Sequence, residues 1–165
     1  MKKPRVLIME NEERVCRLLD RIINRMGFES LSVNKYPDFK ASYTDLKPDV
    51  VMLSLDIPGL DHAHLLHYLL EHDAGATVIL LSNMDEDELS GIETLGQLSG
   101  LNMGGILHKP IYIDSVKSIL KDVVQRNHRP AVKKSHLSGK RDHARLVTLR
   151  ELSIEPESML AEGIN

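Results

Sequence analysis

The sequence predicts an α/β fold, a (βα)5 doubly wound parallel sheet of five strands, each followed by a helix. Three observations carry this. Short apolar runs recur five times between residues 5 and 107, and the densest, 50–55, has the near-continuous composition of a strand buried on both faces. Each run is followed by a segment with apolar residues at helical spacing, and such alternation implies right-handed crossovers with helices on both faces. The run at 50–55 ends in Asp56 and then Pro58-Gly59, a turn signal. Turns of this kind expose the C-terminal end of a strand, where open parallel sheets bind ligands.

The first strand is read at 5–9. Glu10-Asn11-Glu12-Glu13 then suits a helix N-terminus, where the dipole favours negative charge. Val15, Leu18, Leu19, Ile22, Ile23 and Met26 form a clean helical stripe, Arg14, Arg17, Arg21 and Arg25 take the opposite face, and Gly27 is a stop. Residues 28–33 read as the second strand and 37–46 as a short helix with sparse apolar positions. The third strand lies in 50–55, and 62–71 is a helix with Leu65, Leu66, Leu69 and Leu70 inward. The fourth strand is 77–82. A helix over 85–100 opens on Asp85, Glu86, Asp87 and Glu88. The fifth strand is 103–107 and the fifth helix 111–126, with Val116, Ile119, Leu120, Val123 and Val124 inward.

At 165 residues the chain suits one domain plus an extension, or two very small domains. Hydrophobic content of 42% with 4% aromatic and no Trp predicts an aliphatic core. A net charge of -3 implies no general affinity for nucleic acid or anionic membranes. Cys16 is the only cysteine, which excludes an internal disulfide and suits a reducing cytoplasm. No run approaches the roughly 20 apolar residues of a membrane span, so a soluble cytoplasmic protein is expected. Residues 127–150 carry 7 Lys and Arg against 1 acid, whereas 1–126 carry 14 against 19. A boundary near 127 follows, with a domain at 1–126, a basic linker or arm at 127–152 and a short helix at 153–165.

The strand ends carry Glu10-Asn11, the loop from Ser54 to Asp61, Ser82, and Lys109-Pro110. In a (βα)5 chain these resemble, over residues 4–126, the receiver domain of two-component response regulators. The resemblance implies the flavodoxin-like receiver fold. It assigns the acidic pair to Glu10-Asn11, the phosphoacceptor loop to 54–61, the hydroxyl of the fourth strand to Ser82, and the Lys-Pro pair to Lys109-Pro110. Receivers usually hold that last peptide in cis. Their acceptor Asp lies six residues after the Pro of a Pro-Asp start and four before the Pro of the loop. Counting from Pro48 and back from Pro58 both reach Ser54, so the nucleophilic Asp is missing.

Receivers take a phosphoryl group onto a carboxylate, with Mg2+ neutralising charge and Lys assisting. Here Glu10, Asn11 and Ser54 leave one formal charge where the family usually has three. No cofactor is expected and Mg2+ at most weakly, with Glu10 and Asp56 its weak candidates. A hydroxyl needs an adjacent base, and no His falls at a neighbouring strand end, so Ser54 is not expected to react. Lys109 is expected to hydrogen-bond Ser54 or pair with Glu10. Asp56 is the rival acceptor, if a remodelled loop turns its side chain into the pocket; the plainer reading is a loop acid capping a turn.

The family's switch residue, usually aromatic, falls on Ile106. The segment from Ser82 to Lys109 is longer than usual by about one helical turn, on a surface receivers often use to dimerise. Its Gly-punctuated form, and the ending at 154–164, resemble receivers fused to cyclic-di-GMP phosphodiesterase domains of the EAL type. The resemblance thus implies a pseudo-receiver, not itself an enzyme, that regulates its own or a separate output domain by dimerisation or docking. A sensor kinase is the upstream partner it implies; no membrane and no nucleic acid partner is expected. Two alternatives stay open: a phospho-accepting receiver using Asp56, and a DNA-associated regulator acting through the basic arm. His62, His64, His67 and His72 read as a solvated helix face rather than metal ligands, and Cys16 as a small core or boundary residue.

Overall fold

The protein's computed structural model describes residues 2–72 and 75–128. The basic arm and the terminal helix, from residue 129 onward, lie outside the described residues. Ten elements alternate in chain order: β1 (Arg5–Met9), α1 (Glu13–Arg25), β2 (Glu29–Val33), α2 (Tyr36–Leu46), β3 (Val50–Ser54), α3 (His62–Glu71), β4 (Thr77–Ser82), α4 (Glu86–Ser99), β5 (Asn102–His108) and α5 (Ile113–His128). All four strand pairings are parallel, in the order β2-β1-β3-β4-β5. This is the flavodoxin-like α/β arrangement expected from the alternation. Among the described residues no helix is long and apolar enough to cross a membrane.

The near-continuous apolar runs are explained by two cores. Leu7, Met9, Val51, Leu53, Val78 and Leu80 face α2, α3 and α4, where Phe39, Leu65, Leu69 and Leu89 are buried. Their neighbours Val6, Ile8, Val50, Met52, Ile79 and Leu81 face the other way, onto Leu19, Ile23, Val116 and Leu120 of α1 and α5. Period-two alternation divides each strand between the two, so both positions of the period must be apolar. The core is mainly aliphatic; Phe28 is buried on the α1 and α5 side, and the other core aromatics cluster on the opposite side. Tyr36, Phe39 and Tyr43 of α2 gather with Tyr68 of α3 in stacked and edge contacts. These rings anchor a helix whose apolar positions are sparse, because aromatic side chains bury large areas each.

Helix ends follow local chemistry. The Asp61 carboxylate accepts the His64 N–H at 3.1 Å, and Asp85 accepts that of Glu88 at 3.0 Å. Gly100, at φ 101°, closes α4. Helix α5 runs to His128, past the predicted boundary at 127.

Strand β5 runs one residue further at each end than expected, and its pairing with β4 is irregular. Val78 pairs with Met103, but Ile79 pairs with Gly105, so Gly104 is the extra residue of a bulge. A Cβ on Gly104 would lie 2.5 Å from Thr77 Cγ2 and 3.2 Å from Ile79 Cγ1, and Gly105 sits at φ 132°. The extension also places His108 at the end of β5, which is not a neighbour of β3, so no histidine ends a strand adjacent to that of Ser54. His108 is exposed and pairs in register with Ser82, two strands away from Ser54.

Because Thr77 is β-branched and buried, it yields little to a new methyl group. Gly104→Ala is expected to cost about 1–3 kcal/mol of stability through overpacking. Urea unfolding of the two proteins measures it; an unchanged midpoint would mean that Thr77 moves aside freely.

Candidate functional site

The winding of the sheet reverses between β1 and β3, and the C-terminal ends of β1, β3, β4 and β5 meet there. Backbone bonds set their levels. Glu10 N–H donates to Val33 O at 3.0 Å, Leu55 N–H to Leu81 O at 2.9 Å, and Lys109 N–H to Ser82 O at 2.9 Å. The Lys109–Pro110 peptide is cis.

Lys109 reaches inward to the centre of this ring. Its Nζ lies 2.8 Å from Glu10 Oε2 and 3.1 Å from Asp56 Oδ2, and donates to Ser54 Oγ at 3.1 Å. An ammonium has three protons, and three partners take them. Lys109 thus makes both contacts expected of it, to Ser54 and to Glu10, and a third. Glu12 Oε1 stands further off at 3.8 Å. The Glu10 side chain has no solvent exposure, and its other oxygen accepts the N–H groups of Asn11 at 2.8 Å and Glu12 at 3.1 Å. The acids after β1 therefore anchor the buried cation rather than cap α1, whose N-cap Glu12 makes no side-chain capping bond.

Asp56 departs from the plainer reading of it as a turn-capping acid. Its side chain enters the pocket: Oδ1 accepts the Ser82 hydroxyl at 2.6 Å, and Oδ2 takes the Asn83 N–H at 3.1 Å besides Lys109. Ser82 Oγ in turn accepts the Met84 N–H at 3.0 Å. Asp56 lies two residues beyond the end of β3, so strand alternation does not set its direction; the donors on Ser82, Asn83 and Lys109 do. Ser54 is fully buried at the end of β3. Asn11 is exposed, and Ile106 is half-buried against the core formed with α2, α3 and α4.

Burial by itself would raise the Asp56 carboxyl, but hydrogen bonds from Ser82 and Lys109, the Lys109 charge and the Asn83 N–H outweigh it. Its pKa is held below the ordinary 3.8. For Lys109, burial alone would lower the pKa; hydrogen bonds to Glu10 and Asp56 and their charges prevail and raise it above 10.5. Lys109 therefore donates to Ser54 and cannot serve as its base.

The donor set does not fit a hard divalent cation. Both Glu10 oxygens and both Asp56 oxygens are committed to protein donors, and a protonated lysine stands between the two carboxylates. Among the described residues no cluster of three His, Cys, Asp or Glu could hold a metal.

Two participants were not foreseen from sequence. Glu12 belongs by sequence to the helix N-terminus, and Asn83 contributes only its main chain, which no side-chain pattern signals. The histidines of α3 and of its C-cap, His72, go to separate partners. His62 Nε2 bonds Leu55 O at 2.7 Å, His67 pairs with Glu71 at 2.9 Å, His64 meets the Tyr36 ring edge-on, and His72 stacks on Tyr68. The Cys16 thiol lies 3.6 Å from Glu10 O; burial and the Glu10 charge raise its pKa against a hydrogen bond with Ser32, which disfavours thiolate.

Residues 6–121 match the response regulator receiver domain family. Among curated proteins, the transcriptional regulatory protein YvcP of Bacillus subtilis is 24% identical over 160 residues, covering 96% of this chain and 62% of its own length. The regulatory protein AtoC of Escherichia coli is 26% identical over 73% of this chain and 25% of its own. The chain thus spans less than two thirds of either. Sporulation initiation phosphotransferase F of Bacillus subtilis is 25% identical, over 73% of this chain and 94% of its own. Among solved structures, the chemotaxis response regulator CheY4 of Vibrio cholerae aligns at TM-score 0.64 and 14% identity, over 74% of this chain and 99% of that one. A signal receiver domain from Bermanella marisrubri aligns at TM-score 0.64 and 18% identity, with the same coverage.

Two predictions follow from the charge arrangement. Lys109→Met leaves the buried Glu10 carboxylate without its cation and is expected to cost about 3–5 kcal/mol. Glu10→Gln, which retains hydrogen-bonding capacity, should cost less; urea denaturation of both variants tests the order. The second concerns pH. A depressed Asp56 pKa contributes stability that is present above 3.8 and lost as pH falls through the folded value. The raised Lys109 pKa contributes below 10.5 and is lost as pH rises through its folded value. Asp56→Asn should therefore flatten the acid limb of the stability profile, with urea midpoints against pH as the measurement.

Proposed function

This chain belongs to the response regulator receiver domain family, and from that premise we propose that it is a receiver that signals without accepting a phosphoryl group. Receivers of this family act in two-component signalling, with sensor kinases on one side and output domains on the other, and are generally not enzymes themselves. The observation that carries the proposal is the contact between Ser54 and Lys109. The side chain at the end of β3 is a buried hydroxyl that receives a hydrogen bond from a protonated lysine at 3.1 Å. A hydroxyl so placed has a lone pair engaged by an ammonium and no base to take its proton. The nearby carboxylates, Glu10 and Asp56, are each held by at least three donors and offer no set for Mg2+.

On this reading the pocket fixes a shape, and output passes through docking or dimerisation in the cytoplasm. The relaxed switch position, Ile106, is in keeping with that. Leu98 on α4 and Tyr112 and Ile113 at the start of α5 are large exposed apolar side chains on the two helices that flank the edge strand β5. They are the surface we assign to a second copy or to an output domain. A DNA-associated output is a second reading, favoured by one observation: the match to YvcP extends over 160 residues and so takes in the basic stretch 127–150. The cyclic-di-GMP reading rests on sequence resemblance alone, that of the Gly-punctuated segment between Ser82 and Lys109 and of residues 154–164.

Incubation with acetyl phosphate and Mg2+, followed by intact-protein mass spectrometry, tests the proposal. The wild-type chain is expected to gain no phosphate. A stoichiometric adduct abolished by Asp56→Asn would sink it in favour of Asp56 as acceptor. For the second reading, salt-sensitive DNA binding that disappears on deleting residues 127–150 is the expected result.

A further inference from the structure

We propose that the Asp56 carboxylate is the tethered occupant of an oxyanion site, holding the segments after β3, β4 and β5 in the arrangement that a bound tetrahedral oxyanion would otherwise impose. The inference deepens the reading of the pocket as non-accepting and rests on it. Three donors from two separate segments converge on this one carboxylate: the Ser82 hydroxyl at 2.6 Å, the Asn83 N–H at 3.1 Å, and Lys109 Nζ at 3.1 Å. A hydroxyl, a main-chain amide and an ammonium form the mixed donor set that binds phosphate-like anions through charge-assisted hydrogen bonds.

The donors exceed what the buried charge of Lys109 requires. Glu10 already neutralises Lys109 at 2.8 Å, and Ser54 takes another of its protons. The amide of Asn83, an exposed residue, needs no carboxylate to satisfy it. Asp56 itself comes from the loop at the mouth of the pocket, with its side chain 15% exposed, so truncating it opens the donors towards solvent. An anion attached to the chain acts at an effective concentration of the order of millimolar or above, without needing to be supplied. Free phosphate at ordinary levels therefore does not displace it, and the segment from Ser82 to Met84 that leads into α4 stays in one arrangement.

The test uses inorganic phosphate as the probe, with chloride at matched ionic strength as the control, on the full chain. The readouts are the Asn83 and Met84 amide resonances and the melting temperature. In the wild-type protein, millimolar phosphate is expected to move neither. In Asp56→Ala both amides should shift, then return towards their wild-type positions as phosphate is added, with a rise in melting temperature. Adding Ser82→Ala should remove that response. Asp56→Ser serves the same comparison should the alanine variant not fold. The proposal is overturned if phosphate acts on the truncated variant no differently from chloride, or if the wild-type protein responds as strongly as the variant. A null response of this kind leaves the non-accepting reading standing, whereas an acetyl phosphate adduct on the wild-type chain removes that reading whatever the amides do.

Discussion

A buried ammonium among carboxylates organises the functional end of this molecule. Lys109 projects from the last strand into a region where Glu10 has no contact with water, and only one of its partners, Glu12, stands beyond hydrogen-bonding distance. Such a charge is costly to desolvate and is tolerated only when its partners are in place. The ends of β1, β3 and β5 must therefore meet at one level. The parallel register supplies this, carrying Met9, Leu53, Leu80 and Ile106 across four neighbouring strands. The fold positions the ion cluster, and the ion cluster in turn ties together the segments that follow β1, β3 and β5.

The pocket is self-contained in its charges. In receivers generally, the resemblance implies a phosphoryl group and a metal ion that arrive from outside. Here the Ser54 hydroxyl ends β3, and the carboxylate two residues later takes up the hydroxyl, amide and ammonium donors. One substitution of residue type, Ser for Asp at the strand end, would by itself leave Lys109 and Ser82 without an anion between them. Asp56 supplies it. On the proposed reading Ser54 and Asp56 are a coupled arrangement: the negative charge stands two residues further along the chain rather than being lost.

Much of the fold was legible in the residues because its signals are local. The apolar runs, the stripe from Val15 to Met26, the acidic first turn of α4 and the glycine after it are each complete within one element. Element ends differed by one or two residues, where hydrogen bonding to a neighbouring strand decides. The bulge at Gly104 was not legible as such; the Gly pair stood out, but only packing against Thr77 and Val123 gives it a reason. The aromatic anchoring of α2 was hidden as well, since it depends on Tyr68 arriving from α3.

The site divides in the same way. Counting between Pro48 and Pro58 found Ser54 at the strand end, and the lysine, the serine of β4 and the acid after β1 were identifiable by their place at predicted strand termini. What sequence could not give was the direction of Asp56. A loop acid is free to face solvent or protein, and the choice is made by donors on other segments, Ser82, Asn83 and Lys109, that only the folded sheet brings within reach. Residue types and their spacing determined which groups stand at the end of the sheet; tertiary structure decided which of them bond, because electrostatic pairing depends on distance through space and not along the chain.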